Sequence, residues 1–343
     1  MTSYPVRRAR LATTVFAAAL LIVRPAFAAK IVTFDPPHSD DTYAAAINRD
    51  GAIAGFFDIL DGDRHAYLRA TDGTITTFDP PNSYWTWAVG INDAGVIAGY
   101  FDEKGGGNAH TPYSDLQHGY VRTPDGAFTS FDPPGCDYTT VAGINRNGDV
   151  AGDSEDSNEA WMYHGFLRTA DGTVTTFDPA GSITTNVYAL NSHRTVVGIW
   201  EDNQTNLHGF IRKNGGKIAN IDVSGANGTI PTVINDNGTI AGVYFVGNQD
   251  HAFLRLPDGT ISTIDPPGAT FVQVYGINNS GEIAGDYWGQ SGPSHGFIRS
   301  SGGGYKTFDP KGAYGTEVYG INAHGDTAGF YDNGIAHGFV RNR

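Results

Sequence analysis

VYGINNSGEIAGDYWGQSGPSHGFIRSSGGGYKTFDP, from Val274 to Pro310, holds four short apolar runs in a fixed order: VYGIN, EIAGDY, HGFIR and YKTFD. The same four runs recur in that order seven times along the chain. The asparagine ending the first run falls at Asn48, Asn92, Asn145, Asn191, Asn235, Asn278 and Asn322, at successive spacings of 44, 53, 46, 44, 43 and 44 residues. A period in the forties with four strands per repeat is the signature of β-propeller blades. The expected fold is therefore all-β: one seven-bladed β-propeller of four-stranded blades spanning residues 29–343.

Each run has the chemistry of one blade strand, here called A to D. Strand A ends in Gly-Ile-Asn or a near copy, small residues suited to backbones crowded around an axis. The A–B connection is Asn-x-x-Gly, as in Asn278 to Gly281, with Asn at the first position of a type I turn and Gly at the fourth. The fourth repeat places Arg194 where the others have this glycine, so its turn is expected to be strained or different. If Arg194 sits at positive φ, Arg194→Gly is expected to stabilise the protein. Strand B, the Ile-Ala-Gly-x-Tyr run, is apolar on both faces. Strand C runs from His-Gly-Phe or His-Ala-Phe to a closing Arg, and most C–D turns are Asp-Gly hairpins. Strand D ends in Phe-Asp-Pro-Pro or a variant, and proline belongs at strand ends and edges because it cannot donate to a ladder.

With His251-Ala252-Phe253, Gly276-Ile277-Asn278, the Asn-x-x-Gly turn and Ile-Ala-Gly in place, the pattern resembles the HAF-repeat family of predicted extracellular bacterial repeat proteins. The resemblance covers the whole chain after the leader. It implies export and repetition but no assigned activity. The chain departs from the commoner form in carrying Arg where strand C often has Trp, and in its Phe-Asp-Pro-Pro ending.

Residues 1–28 read as a signal peptide. Arg7, Arg8 and Arg10 form a positive head, Leu11 to Val23 is apolar, and Ala26-Phe27-Ala28 has the small-x-small pattern of a cleavage site. The apolar run is shorter than the roughly 20 residues that span a bilayer. A secreted or periplasmic protein beginning near Ala29 is expected, with no membrane insertion after cleavage and either general secretory or twin-arginine export. Losing the leader's four arginines leaves 18 basic against 36 acidic residues, a net charge of −18. Such a surface repels phosphate backbones and anionic lipid, so nucleic acid is excluded as a partner. Cys136 is the only cysteine, so no intrachain disulfide is possible.

The His, Asn, Arg and Asp of every repeat read as scaffold, because symmetry spreads them around a ring. Function is expected where the repeats differ, in the D–A and B–C loops, which share one face. The second repeat's B–C loop, from Asp102 to Gln117, carries Asp102, Glu103, His110, Tyr113 and Asp115; the third offers Asp153, Glu155, Asp156, Glu159, Trp161 and Tyr163. Tyr84, Trp85 and Trp87 precede strand A of the second repeat, Tyr138 lies in the third, and Trp200 and Trp288 lie at B-strand ends. Aromatic faces beside carboxylates are a sugar-binding surface in kind, so Tyr84, Trp85, Trp87, Asp102, Glu103, Tyr113, Asp156, Trp161, Tyr163 and Trp288 are the candidate ligand contacts. The expected function is a binding module for a glycan or an extracellular protein, monomeric. The alternatives are a polysaccharide lyase or hydrolase using Asp102, His110 and Glu159 as acid and base, or a purely structural surface protein. No cofactor is called for; Asp58, Asp61 and Asp63 are close together but lack the spacing of an EF-hand, leaving calcium a weak candidate.

The spacing also predicts how the ring closes. In each of the first six repeats the His opening strand C precedes the Asp closing strand D by 14 residues, as in His65 and Asp79 or His118 and Asp132. A three-residue hairpin loop sets such a pair opposite one another. His337 has no Asp after it, while Lys30 to Asp35 reads as a strand D without a blade. Asp35 is expected to face His337.

Overall fold

A computed structural model describes residues 29–343 except 61, 104–115 and 157–161. The leader lies outside the described residues, as do Asp61, His110, Tyr113, Asp115, Glu159 and Trp161. Among the described residues every regular element is a β-strand, 28 in all. The sixth repeat shows the unit. Strands A (Phe271–Ile277), B (Ile283–Trp288), C (Ser294–Arg299) and D (Tyr305–Phe308) form one antiparallel meander. In the seventh repeat A, B and C are Gly315–Ile321, Thr327–Asp332 and Ala336–Arg341, and the fourth strand is Ile31–Phe34 from the other end of the chain. Its register sets Ile31 against Arg341 and Phe34 against Gly338.

The A–B turns do more than reverse the chain. Each asparagine holds its own turn through Oδ1, as Asn48 does by accepting the Ala52 amide at 2.9 Å. Each Nδ2 then donates to the carbonyl of the corresponding asparagine one repeat on, from Asn48 to Asn92 at 3.3 Å through to Asn278 and Asn322 at 3.1 Å. Asn322 returns to the carbonyl of Asn48 at 3.2 Å. These groups are buried, where a satisfied hydrogen bond contributes about 1 kcal/mol net and an orphan costs more.

The His–Asp pairs sit at the opposite end of the strands. His Nδ1 lies 2.8 Å from Asp79 in the first repeat, 2.7 Å from Asp132 in the second and 2.9 Å from Asp35 in the seventh, and His208 is the loosest at 3.4 Å from Asp222. The free oxygen of the same aspartate reaches the next repeat: Asp132 Oδ1 accepts Thr139 Oγ1 at 2.7 Å, and Asp178 does the same for Thr185. One carboxylate thus ties strand C of one repeat to strand A of the next.

The closing Arg of strand C also crosses between repeats. Arg69 lies over Phe34, Arg122 over Phe78, Arg168 over Phe131, Arg212 over Phe177 and Arg341 over Phe308, at 4.5–4.9 Å from the ring centroids. Such contacts attract by about 1–2 kcal/mol when desolvated. Ile221 and Ile264 replace the phenylalanine in two repeats, and among the described residues Arg255 and Arg299 show no such ring contact. Between the repeats lies one fully buried ring each: Tyr67, Tyr120, Phe166, Phe210, Phe253, Phe297 and Phe339.

Arg194 has the positive φ expected of its turn, and its side chain adds a partner the sequence did not show. Its φ is +58°, yet the side chain forks onto Asp149, Nε to Oδ2 at 2.9 Å and a terminal nitrogen to Oδ1 at 3.1 Å. Asp149 is fully buried and its carboxyl is held below the usual range by Arg194 and Asn145 against the opposing effect of burial. The backbone relief gained by glycine is smaller than the cost of leaving that carboxylate without its cation. Arg194→Gly is therefore expected to lower the melting temperature, and in an Asp149→Asn background the same change is expected to raise it.

Candidate functional site

Strand A forms the inner wall. In each repeat it carries a bulge near its end, as between Ala44 and Ala46 or Val274 and Gly276, which turns an extra side chain toward the axis. The extra residues include Val89, Tyr188, Thr232, Tyr275 and Tyr319, and they line an axial funnel of about 650 Å³. Below them a ring of six isoleucines and Leu190 narrows the passage, and beyond it the asparagine ring borders a second cavity of about 230 Å³.

Above the bulge, strand A and strand B carry opposed pairs, Tyr43 and Phe56, Trp87 and Tyr100, Gln273 and Asp286, Glu317 and Phe330, of which Phe56 and Gln273 line the funnel. Rings from four consecutive repeats form one arc. Tyr275 meets Tyr319 at 4.9 Å, Tyr319 meets Phe330 at 5.6 Å, Phe330 meets Tyr43 at 4.9 Å, and Tyr43 stacks on Phe56 at 4.9 Å. The Arg64 guanidinium, forked onto Asp58 at 2.6 and 2.8 Å, lies over both Phe56 and Trp87, carrying the arc into the second repeat. Trp87 stacks on Tyr100 at 4.8 Å and meets Trp85 at 6.0 Å. Tyr84 lies on Trp85 at 5.4 Å because a bulge between Ser83 and Trp85 brings these adjacent residues side by side.

Two aspartates interrupt the apolar strand B motif. Asp153 and Asp286 take the place held by Phe56, Ile199 and Val243 elsewhere. Asp153 accepts the Val187 amide at 3.1 Å, and burial lifts its pKa to about 7. Asp286 is fully buried and neither oxygen completes a hydrogen bond. Burial, then the nearby Glu317, lift it to about 8, against the opposing Val318 amide. The folded state keeps a proton that the unfolded chain releases near the ordinary carboxyl range, so stability falls as pH rises toward 8, by about 1.4 kcal/mol per pH unit. Asp286→Asn is expected to raise the melting temperature at pH 8, with the gain vanishing by pH 4; a gain equal at both pH values would mean that the carboxyl stays ionised in the fold.

The residues expected in loops divide. Tyr84, Trp85 and Trp87 belong to strand A (Ser83–Ile91), and Asp102 and Glu103 to strand B (Ile97–Glu103), so neither group is on a loop. Trp85 and Trp87 are half-buried rather than core, and Trp85 Nε1 donates to the Gly62 carbonyl at 2.9 Å. Asp102 is 6% exposed and accepts Gln117 Nε2 at 3.0 Å, and burial raises its pKa. Glu103 lies 3.6 Å from His118 Nε2. Asp156 and Tyr163 are half-buried near Tyr138, which meets Tyr163 edge-on at 6.3 Å, and burial with Glu155 pushes Tyr163 up to about 12. Trp288 meets Phe271 at 5.0 Å, away from the arc. Trp200 is a core residue, 8% exposed and stacked on His208 at 4.5 Å. The Asp58 carboxylate is taken by Arg64, and among the described residues no three His, Cys, Asp or Glu side chains are grouped to hold a metal ion.

No family model and no curated protein matches the chain. Solved structures do. The chain is similar to a streptogramin B lyase at 18% identity and TM-score 0.58, covering 92% of this chain and 98% of that one. A catalytically inactive variant of virginiamycin B lyase from Staphylococcus aureus, with quinupristin, aligns at 14% identity and TM-score 0.61 over 92% of this chain and 99% of that one. The β-propeller domain of the Trilobed protease from Pyrococcus furiosus aligns at 10% identity and TM-score 0.62 over 88% and 95%. At these identities the likeness establishes the fold alone: the protein is a β-propeller.

Proposed function

We propose that the protein is a secreted or periplasmic seven-bladed propeller, closed by Ile31–Phe34, that binds a glycan in its axial funnel. The asparagine circuit and the Asp35–His337 pair support the closed seven-fold reading. The observation that carries the glycan reading is the aromatic arc from Tyr275 to Trp85. Sugars present flat C–H faces to aromatic rings and hydroxyls to carboxyl and amide groups. The arc supplies the rings, and Gln273 in the funnel lining and Glu317 opposite Phe330 supply polar groups beside them. A glycan array with the protein tests this: one oligosaccharide class is expected to be retained, and a blank array would contradict it.

A second reading is enzymatic. The two described carboxyls lifted close to neutral pH, Asp153 and Asp286, are in a range where carboxyls serve as general acids. Of the trio expected from the sequence, Asp102 accepts Gln117 Nε2, and His110 and Glu159 lie outside the described residues. Chain shortening of any retained glycan on incubation would establish this reading.

A further inference from the structure

The wall formed by the sixth and seventh repeats narrows the ligand class. Tyr275 and Tyr319 both line the funnel and meet at 71°, making a two-walled aromatic corner. Tyr319 Oη donates to Glu317 Oε2 at 3.0 Å, so the carboxylate is fixed at the corner's edge. Behind it, Asp286 is fully buried, and among the described residues neither oxygen completes a hydrogen bond, the Val318 amide being its nearest donor influence. Asp286 holds the strand position at which Phe56 and Val243 line the funnel in their repeats, and its cross-strand partner Gln273 and its neighbours Tyr275 and Tyr319 line the funnel here. The groups facing it are Gln273 and Tyr275 from Phe271–Ile277, and Glu317 and Tyr319 from Gly315–Ile321. Gly296, opposite it on Ser294–Arg299, brings no side chain.

A neutral hydroxyl would leave such an acid protonated. An ammonium group is attracted by both ring faces and by Glu317, and its charge favours the ionised form of Asp286. We propose that this corner is an ammonium subsite, and that the glycan bound in the funnel carries a protonated free amine, as a deacetylated amino sugar does. The inference rests on the glycan reading above. Binding below about pH 8 then ionises Asp286, whose proton passes to the buffer.

The test is calorimetry at pH 6 with the tetramer of glucosamine and the tetramer of N-acetylglucosamine, in buffers of differing ionisation enthalpy. The free-amine tetramer is expected to bind at least about ten-fold tighter, with net proton release. Glu317→Gln is expected to bring the free-amine tetramer down to the affinity of the acetylated one, and Asp286→Asn to abolish the proton release. Equal affinity for the two tetramers, or a preference unmoved by Glu317→Gln, overturns the subsite while the glycan reading stands. A tetralysine peptide that binds as tightly, and loses affinity in Glu317→Gln, transfers the corner to peptides and also overturns it. If no glycan binds at all, both readings fall.

Discussion

A chain lacking residues 30–37 is expected to aggregate or to melt far below the intact protein. The deletion removes the whole Ile31–Phe34 ladder against Gly338–Arg341, the Asp35–His337 pair at 2.9 Å and the ring under Arg69. Phe34 is 9% exposed and packs with Tyr67, Ile47 and Val340 in a cluster that joins the first and last repeats. Burying one such side chain contributes about 2 kcal/mol, and Val32 packs on the same cluster. Together with the lost ladder the cost is on the order of 5 kcal/mol, comparable with the entire stability of many domains. The exposed edge of Ala336–Arg341 would then be free to pair with another chain. Size-exclusion chromatography and thermal melts check this; a monomer that melts within a few degrees of the intact chain would contradict closure through this strand.

Gly99→Ala is expected to cost at least about 3 kcal/mol, beyond ordinary overpacking, because the clash involves main chain. A Cβ at Gly99 would stand 1.8 Å from the Trp87 carbonyl and 2.8 Å from the Tyr120 hydroxyl. Tyr120 donates to that same carbonyl at 3.1 Å, locking strands A, B and C of the repeat together. The tyrosine could swing away, but the carbonyl belongs to the bulged strand that carries Trp87. Thermal melts read the loss, and tryptophan fluorescence should shift with it as Trp87 leaves its stack. An unchanged melting temperature would show that the bulge relaxes freely, and the funnel wall would then not be rigid.

The repeat chemistry was legible in the sequence where one spacing fixes one contact. A constant interval from His to Asp and a left-handed hairpin glycine, Gly73 at φ +93°, suffice to place the pair across two strands. Contacts between repeats were not legible in this way. Asn48 is fully accounted for locally as a turn residue, and nothing in its own repeat shows that Nδ2 reaches the next one. The closing arginines looked like a departure from a pattern until Phe34, Phe78 and Phe131 were found beneath them. Arg194 was read by its backbone alone, and its partner Asp149 lies 45 residues away in the preceding repeat.

The funnel wall was not legible for a related reason. Sites were sought where loops vary, whereas the bulge in strand A turns Tyr188, Tyr275 and Tyr319 into the funnel. A signal was present: the residue after Ile-Ala-Gly or its variants is Phe56, Tyr100, Ile199, Val243 or Phe330 in five repeats and an aspartate in the other two. A charge recurring at an otherwise apolar interior position marks a group kept for something other than packing.

The most direct test of the account is a calorimetric titration of the tightest array glycan into the wild type, Tyr43→Ala, Trp87→Ala and Tyr314→Ala. Tyr43 and Trp87 stand in the arc, whereas Tyr314 is 68% exposed and outside it. Each arc variant is expected to bind about ten-fold more weakly or worse, as loss of one stacked ring implies, while remaining folded by thermal melt. Tyr314→Ala is expected to bind like the wild type. Undiminished affinity in both Tyr43→Ala and Trp87→Ala would contradict binding in the axial funnel.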